Sequence, residues 1–285
     1  MRAFDYERPT SLADALALLV ADDGSARPLA GGTDLIIRLR DGTLRPRTVV
    51  DVKGIAEFSR GIHVADGWLR IGARTTMTDL VRDERIRRDY TALAEAAAYV
   101  GSVQIRNRAT LAGNICNASP AADTAPALLV YAARVVAVGQ GSRRTLPLDE
   151  FFVTSGVTTL LPGELVEAIE MPLPSGRRGS VHARRTRRRG HDLASVTLAV
   201  AIGEGGVTRL SYGSVGPRPV VVADETGVLA DPSSSEDARR DRLEAMFVDA
   251  APSPTSMRAS PEYRLAMLRV MGLRAVAAAP ERRAS

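Results

Sequence analysis

Apolar residues at helical spacing and short apolar runs predict the elements of the first part of the chain. Leu12, Leu16 and Leu19 follow one another at i, i+4 and i+7 behind Ser11, whose hydroxyl can cap a helix. A short strand over residues 27–30 runs into a glycine turn, and the residues after that turn again have helical spacing. An apolar pair at the centre of residues 48–51 is typical of a buried strand. The pattern therefore predicts helix, strand, loop, helix and strand in a first subdomain, residues 1–54.

The next stretch, residues 55–176, alternates short strands with helices. Apolar positions at strand or helix spacing predict strands over residues 68–71 and 134–138 and helices over residues 78–81, 90–100 and 123–133. Residues 104–117 contain too much glycine, asparagine and arginine for regular structure, so we predict a functional loop there. Prolines and glycines over residues 172–179 are typical of a linker, which ends this second subdomain.

The last stretch, residues 177–285, combines two strands with a closing helix. Apolar runs predict strands over residues 194–202 and 207–212, whereas residues 231–241 are polar and predict a loop. Apolar residues on or near one face predict a final helix over residues 261–279. The sequence shows no internal repeat of the solenoid type. We therefore predict an α+β protein with three subdomains, residues 1–54, 55–176 and 177–285.

Composition excludes several classes of protein. With 285 residues, 45% apolar and 25% charged, the chain is globular rather than disordered or fibrous. No run approaches the roughly 18 apolar residues of a membrane helix, and the N-terminus lacks the apolar core of a signal peptide. The single cysteine, Cys116, rules out an intrachain disulfide and leaves too few thiols for an iron–sulfur cluster or a structural zinc. A soluble cytoplasmic protein is therefore expected.

The charge balance leaves the choice of partner open. Lys53 is the only lysine among 38 basic residues, so 37 are arginines, and the formal net charge is +5. Such an excess is compatible with nucleic acid, with an acidic partner, or with a bias that replaces lysine by arginine. The low aromatic content, 4%, disfavours a single-strand binder, which stacks bases on aromatic rings. The most basic run, residues 184–189, predicts a solvated or subunit-facing patch because no nucleic-acid-binding motif accompanies it.

Two glycine-containing loops carry the candidate chemistry. In the first, a strand enters Gly31-Gly32-Thr33-Asp34 ahead of a helix, so that backbone N–H groups and the helix dipole can face a phosphate. The alternative is a tight strand-to-helix turn, since the familiar nucleotide fingerprints do not apply. The second loop, residues 109–123, is rich in small residues, hydroxyls and amides, and its alternative is a buried crossover loop. Together the loops favour a dinucleotide whose pyrophosphate lies between them.

Both loops, in this order and separation, resemble those of the flavoprotein (medium) subunits of molybdenum hydroxylases, the xanthine dehydrogenase and carbon monoxide dehydrogenase family. The resemblance covers essentially the whole chain. The motifs that carry it are, in chain order, Phe4-Asp5-Tyr6, residues 30–34, Val50-Asp51, Ile71-Gly72-Ala73, Gln104-Ile105-Arg106-Asn107, residues 110–126 and Arg258-Ala259-Ser260-Pro261-Glu262-Tyr263-Arg264-Leu265. The last motif is similar to the closing segment of separate-subunit xanthine dehydrogenases.

The resemblance implies a fold and a cofactor. The fold is the two-subdomain FAD-binding fold of the vanillyl-alcohol-oxidase (PCMH) type, followed by a smaller α+β C-terminal domain. The cofactor is noncovalent FAD, with Asp123 near its ribityl or ribose hydroxyls, Leu165 on the adenine side and Arg184 beside the isoalloxazine. The two loops supply the remaining cofactor contacts, namely Leu29, Ala30, Gly31, Gly32, Thr33, Asp34, Leu35, Ile36, Ala109, Thr110, Leu111, Ala112, Gly113 and Asn114.

Some residues depart from the family pattern or invite a second interpretation. Ala112 stands where the family usually has a second glycine, and Ala183 replaces a position that is often aromatic. Cys116 could anchor a flavin covalently, but a buried small apolar role is favoured because free cysteine is among the most buried residue types. The three histidines share no metal-ligand spacing and are assigned no chemistry, namely His63, His182 and His191.

The resemblance also implies an activity. The chain is expected to accept electrons from [2Fe–2S] clusters of a small partner subunit, while a large molybdopterin subunit hydroxylates the substrate, in a dimer of heterotrimers. Electrons then pass from FAD to NAD⁺ or another acceptor, and the closing segment points toward a xanthine or purine dehydrogenase. A self-contained FAD-dependent oxidase is the alternative, and a basic nucleic-acid-binding adaptor is less favoured.

Overall fold

The computed structural model describes residues 2–21, 25–176, 178–188, 190, 192–254 and 256–284. The first part of the chain forms β1 (Asp5–Glu7), α1 (Leu12–Ala21), β2 (Arg27–Leu29), α2 (Leu35–Arg40), β3 (Thr48–Asp51) and a 3₁₀ turn (Val52–Gly54). The central strand β3 pairs in parallel with β1 on one side and β2 on the other. Ala15, Leu16 and Leu19 of α1 are buried, as the helical spacing predicts. The glycine turn therefore begins at the carboxyl edge of a small parallel sheet.

The second part is a five-stranded antiparallel sheet with helices packed on it. Its elements are β4 (Ile62–Ala65), β5 (Trp68–Gly72), α3 (Met77–Arg82), α4 (Glu84–Asp89), α5 (Thr91–Ala98), α6 (Val103–Arg106), α7 (Leu111–Cys116), α8 (Thr124–Val130), β6 (Arg134–Gly139), β7 (Ser142–Pro147), α9 (Leu148–Phe151), β8 (Phe152–Thr154), β9 (Val157–Thr158) and β10 (Leu165–Pro172). The strand order is β4-β5-β10-β6-β7, and β8 pairs separately with β9. Helix α7 packs against the central strand β10, which fixes the second loop to this sheet.

The third part is a four-stranded antiparallel sheet covered by a long helix. It consists of β11 (Gly179–Arg185), β12 (Val196–Ile202), a 3₁₀ turn (Glu204–Gly206), β13 (Thr208–Gly213), β14 (Val220–Asp224), α10 (Glu236–Met246) and α11 (Pro261–Ala284). The strands follow one another in order β11-β12-β13-β14. Helix α11 packs across β11 and β12 and contacts α10.

Strand β12 explains how the second and third parts are joined. Successive side chains of a strand point to opposite faces of the sheet. Leu198 and Val200 belong to the hydrophobic core beneath α11, whereas Ala199 and Ala201 pack into the core of the second part. All seven residues of β12 are buried, because both faces of the strand are covered. The continuous apolar run in the sequence therefore reflects a sheet held between two cores.

A polar contact reinforces the same seam. The hydroxyl groups of Tyr131 and Ser180 lie 2.6 Å apart, and Tyr131 Oη also accepts a hydrogen bond from the backbone N–H of Ala92. The Tyr131 ring packs edge-on against that of Tyr90, with 5.1 Å between their centroids. Both rings are buried. These contacts connect α5, the end of α8 and β11, so the third part rests directly on the helices that bound the second loop.

The structure confirms most of the predicted elements and corrects three stretches. Residues 104–117, predicted as irregular, contain α6 and α7, because Ser102 and Thr110 each accept a backbone N–H bond at a helix start. The predicted polar loop over residues 231–241 includes the first half of α10, whose buried residues are only Leu243 and Met246. Residues 179–185, partly assigned to a linker, form β11. Within the described residues, no helix has the length and apolar character that crossing a membrane requires.

Candidate functional site

A cleft of about 930 Å³ lies where the three parts of the chain meet. The glycine turn after β2 lines one wall, and residues of the second loop line another. Leu165 of β10 contributes an apolar surface, and Arg184 of β11 reaches the cleft from the third sheet. The cleft is therefore built from segments that are far apart in the sequence, and it has the size of a small-molecule site, roughly 300–1,000 Å³.

The two loops touch through their backbones. A Cβ on Gly31 would lie 2.2 Å from the carbonyl oxygen of Arg108 and 3.0 Å from the Cα of Ala109, so no side chain fits there. Gly32 has φ +77°, a conformation that favours glycine, and a Cβ there would lie 2.8 Å from Leu29 Cδ1. Gly31 is thus required for the close approach of the two backbones, and Gly32 mainly for its backbone conformation.

The first loop leaves its backbone donors open toward the cleft. The N–H groups of residues 31–34 make no hydrogen bond to any residue that the structure describes. Asp34 stands at the start of α2 without capping it through its side chain. Burial raises the pKa of the Asp34 carboxyl, and Arg38 acts in the opposite direction.

The second loop is held in place by hydrogen bonds to its neighbours. Thr110 Oγ1 accepts from the backbone N–H of Gly113 at 3.1 Å and so caps α7. The N–H of Leu111 donates to the carbonyl of Thr75 at 3.1 Å, and Thr124 Oγ1 donates to Asn114 Oδ1. With these bonds made, the loop presents a fixed surface of small residues to the cleft.

Most of the predicted cofactor residues meet in this cleft. The lining includes Ala30, Gly31, Gly32, Thr33, Asp34, Leu35, Ala109, Thr110, Ala112, Gly113, Asn114, Asp123, Leu165 and Arg184. The lining does not include Leu29, Ile36 or Leu111. Leu111 is buried in the core of the second part, and Ile36 is 40% exposed. The loops therefore bring their backbones and small side chains to the cleft. Leu29 and Leu111 pack behind the loops instead.

A buried polar network lies beside Arg184. Its Nη1 forms an ion pair with Asp123 Oδ2 at 3.2 Å, and its Nη2 donates to the backbone carbonyl of Asp192. The guanidinium also lies over the Tyr99 ring, 5.1 Å from its centroid. Arg184 Nε is buried and has no hydrogen-bond partner among the described residues. The arginine is thus held in one orientation and keeps a donor for a ligand.

His182 extends this network behind Asp123. Thr197 Oγ1 donates to Asp123 Oδ1 at 3.1 Å and lies 3.0 Å from His182 Nε2. Since the threonine proton points to the carboxylate, His182 donates to Thr197 through Nε2. His182 Nδ1 is buried without a partner in the described part of the chain. His182 was predicted to have no chemical role, and Thr197 was not among the predicted site residues. The one sequence signal for a role of His182 is its position two residues before Arg184, which places both residues on the same face of the strand.

Cys116 and the other histidines take no part in this network. Cys116 lines the cleft, but burial raises the pKa of its thiol to about 12. A thiol with that pKa is almost entirely protonated near neutral pH and is a poor nucleophile, which favours a packing role over covalent attachment. His63 is exposed on β4. Arg189 and His191 lie outside the described residues. No group of three or more potential metal ligands occurs in the part of the chain that the structure describes.

The residues present fit FAD. A pyrophosphate needs donors without opposing side chains, and the first loop offers open N–H groups and glycine at its point of closest approach. Leu165 adds an apolar side chain to the lining, and Arg184 adds a charged one. Arg184 Nε, which has no partner among the described residues, is a further buried donor.

The cleft, its two loops and the sheets that hold them define an FAD-binding oxidoreductase fold. Residues 2–174 match the family model described as the FAD binding domain in molybdopterin dehydrogenase, and residues 182–279 match the CO dehydrogenase flavoprotein C-terminal domain. The chain therefore belongs to the family of FAD-binding (medium) subunits of molybdenum hydroxylases, as its motifs predicted.

Relatives and solved structures agree with this assignment. The chain is 35% identical over 272 residues to the xanthine dehydrogenase FAD-binding subunit of Escherichia coli O157:H7, with 93% of this chain and 92% of the relative covered. It is 29% identical over 280 residues to the carbon monoxide dehydrogenase medium chain of Hydrogenophaga pseudoflava, covering 97% and 96%. Its structure matches reconstituted CO dehydrogenase from Oligotropha carboxidovorans with a TM-score of 0.90 at 29% identity, covering 99% of each chain. The predicted fold and the FAD cofactor are confirmed.

Proposed function

We propose that this chain is the electron-transfer flavoprotein subunit of a cytoplasmic molybdenum hydroxylase. It accepts electrons from [2Fe–2S] clusters of a small partner subunit and passes them to NAD⁺ or another acceptor. A large molybdopterin subunit carries the substrate site, and the complex is a dimer of heterotrimers. The observation that carries the proposal is a cleft in which two loops are in backbone contact, the first loop leaves its N–H donors open, and a fixed arginine contributes to the lining.

The two loops would hold the cofactor through backbone groups rather than through a basic cluster. Residues 31–34 and, from the second loop, residues 109, 110 and 112–114 would contact the pyrophosphate, and Asp123 would lie near the ribityl or ribose hydroxyls. Leu165 would contact the adenine side, and Leu35 would lie nearer the flavin. Since Leu111 is buried in the core and Leu29 packs against Gly32, both would position the loops from behind.

Arg184 would place a positive charge beside the isoalloxazine. When bound, FAD supplies a carrier that takes up single electrons and gives up a pair as hydride. Asp123 and the carbonyl of Asp192 hold the guanidinium at that end of the cleft. His182 and Thr197 restrain the carboxylate of Asp123 in turn. These side chains therefore orient a charge and keep water from its buried side.

We further propose that the chain divides into FAD-binding subdomains 1–54 and 55–176 and a C-terminal domain, residues 177–285. Separate sheets support this division, because the parallel sheet ends at Asp51, the five-stranded sheet ends at Pro172 and the third sheet begins at Gly179. The cleft lies at the meeting point of the three units, so each of them contributes to the cofactor site.

The identity of the complex is best tested on the chain from its native host. An affinity-tagged chain should co-purify with a small subunit that carries iron and a large subunit that carries molybdenum, and its flavin should be released by acid. Similarity to a xanthine dehydrogenase subunit favours xanthine or a related purine as the substrate of that complex, with NAD⁺ as acceptor.

Three results would contradict this proposal. A chain that neither contains flavin nor takes up added FAD is not a flavoprotein subunit. A chain that binds FAD but oxidises a small alcohol without any partner is a self-contained oxidase. Tight, salt-dependent binding of duplex DNA by the isolated chain would favour the nucleic-acid adaptor instead.

A further inference from the structure

A second cavity, of about 350 Å³, lies beside the loop that separates β11 from β12. It is lined by Arg185, Thr186, Arg187, Ser195, Arg258, Ala259 and Tyr263. The two cavities lie on opposite faces of β11 at its end, since Arg184 lines the large cleft and the next residue, Arg185, lines the small cavity. From the residues that line it, we infer that this cavity binds the phosphate group of a small phosphorylated molecule.

The lining is strongly cationic. Of the residues that the structure describes, the lining contains three arginines and no aspartate or glutamate. A fourth arginine, Arg264, is buried close by, and its described acceptors are neutral oxygens, including the carbonyls of Ser195 and Ser214. Burial lowers the pKa of Arg264, and the charge of Arg258 lowers it further. Within the described residues, the only carboxylate that pairs with an arginine of the lining is that of Asp192, which contacts Arg187.

Much of the hydrogen-bonding capacity in the cavity is unused. Arg185 Nε donates to Tyr263 Oη at 2.8 Å, and the two terminal nitrogens of Arg185 make no bond to a described residue. Arg258 has no hydrogen bond or ion pair to any residue in the described part of the chain. Arg187 makes one long contact, 3.4 Å from Nη2 to Asp192 Oδ1. The donors are therefore oriented in part and still available.

The arrangement suits phosphate better than carboxylate. A single arginine can satisfy a planar carboxylate with two parallel hydrogen bonds. Here guanidinium groups come from two separate segments, the end of β11 with the loop after it and the turn before α11, and three hydroxyl-bearing residues also line the cavity. Donors that converge from several directions match the oxygens of a tetrahedral dianion. The volume exceeds that of the anion itself and lies near the lower limit for small-molecule sites, roughly 300 Å³.

The test is a calorimetric titration of the full-length chain saturated with FAD, so that the phosphate-binding loops of the large cleft are occupied. Inorganic phosphate, pyrophosphate and ADP are the probes, in a chloride buffer of constant ionic strength. We expect saturable binding, weakened at least about tenfold by Arg258→Gln and by Arg185→Gln, because each removes a charge-assisted donor. If the chain takes up no FAD, the same titration on the apo chain, with both variants, still tests this cavity independently of the proposed function.

Matched variants separate a built site from general attraction. Arg240→Gln removes an equal charge from α10, where Arg240 pairs with Glu236 and Asp237, and should leave the affinity unchanged. Tyr263→Phe keeps the ring but frees Arg185, and should weaken binding less than loss of the arginine. Equal weakening by Arg240→Gln, or saturable binding of an oligoglutamate peptide but of none of the three probes, would overturn the inference. An absence of binding to all of them would overturn it too.

Discussion

Replacement of Gly31 by alanine tests whether the contact between the two loops builds the cofactor site. Gly31 has no side chain, and its backbone faces the carbonyl oxygen of Arg108 at the entrance to the second loop. An added Cβ would lie 2.2 Å from that oxygen, whereas ordinary contact begins at 3.4 Å. The obstacle is backbone rather than a flexible side chain, so the loops themselves must separate by about 1 Å to relieve it.

The expected cost follows from this overlap. Forcing an extra methyl group into a closely packed region typically costs about 1–3 kcal/mol. If the loops stay together, the free energy of unfolding falls by this amount. If they move apart, the N–H donors of the first loop leave their places, and the same free energy corresponds to a roughly 5- to 150-fold weaker affinity for FAD.

Both quantities can be measured on the same preparations. FAD affinity is obtained by fluorescence titration of the apo chain, and the free energy of unfolding by urea titration without cofactor. Gly203→Ala is the matched control, since Gly203 has φ −90° and a Cβ there would meet nothing nearer than 4.0 Å. If Gly31→Ala changes neither affinity nor stability, the two loops do not meet as described and the reasoning fails.

Three further predictions concern residues outside the loops. Arg264→Met should lower the free energy of unfolding by about 1–3 kcal/mol in urea because it leaves buried carbonyls without donors, whereas Arg269→Met, at an exposed position, should change it by less than about 0.5 kcal/mol. Burial would raise the pKa of Asp224, but hydrogen bonds from its neighbours outweigh burial and lower it below 3.8. The ionised carboxylate therefore stabilises the folded chain at pH values above 3.8, and this stabilisation is lost as the pH falls through the lower folded pKa. In an acid titration, the free energy of unfolding of Asp224→Asn should fall less than that of the parent chain. Cys116 should react with iodoacetamide at pH 8 about a thousandfold more slowly in the folded chain than after denaturation, since burial raises the pKa of its thiol from 9.0 to about 12; similar rates would contradict this.

Local chemistry made much of this molecule predictable. The first helix and the buried strands follow from spacing alone, because one face of each packs on a core. The glycine turn was identifiable as a special backbone feature, since close approach at Gly31 and a positive φ at Gly32 both favour glycine. Helix α10 was missed for the opposite reason, since only two of its residues are buried and its apolar periodicity is weak.

The sequence by itself determined the fold class, the family and the two loops that line the large cleft. Only the tertiary structure decided which residues act together there. Asp123 and Thr197 are 74 positions apart yet share a hydrogen bond, and His182 joins them without any motif of its own. The arginines of the second cavity likewise come from two segments that the third sheet and α11 bring together. Local patterns record how each segment folds, whereas contacts between distant segments arise when the sheets pack, and no short stretch of sequence encodes that packing.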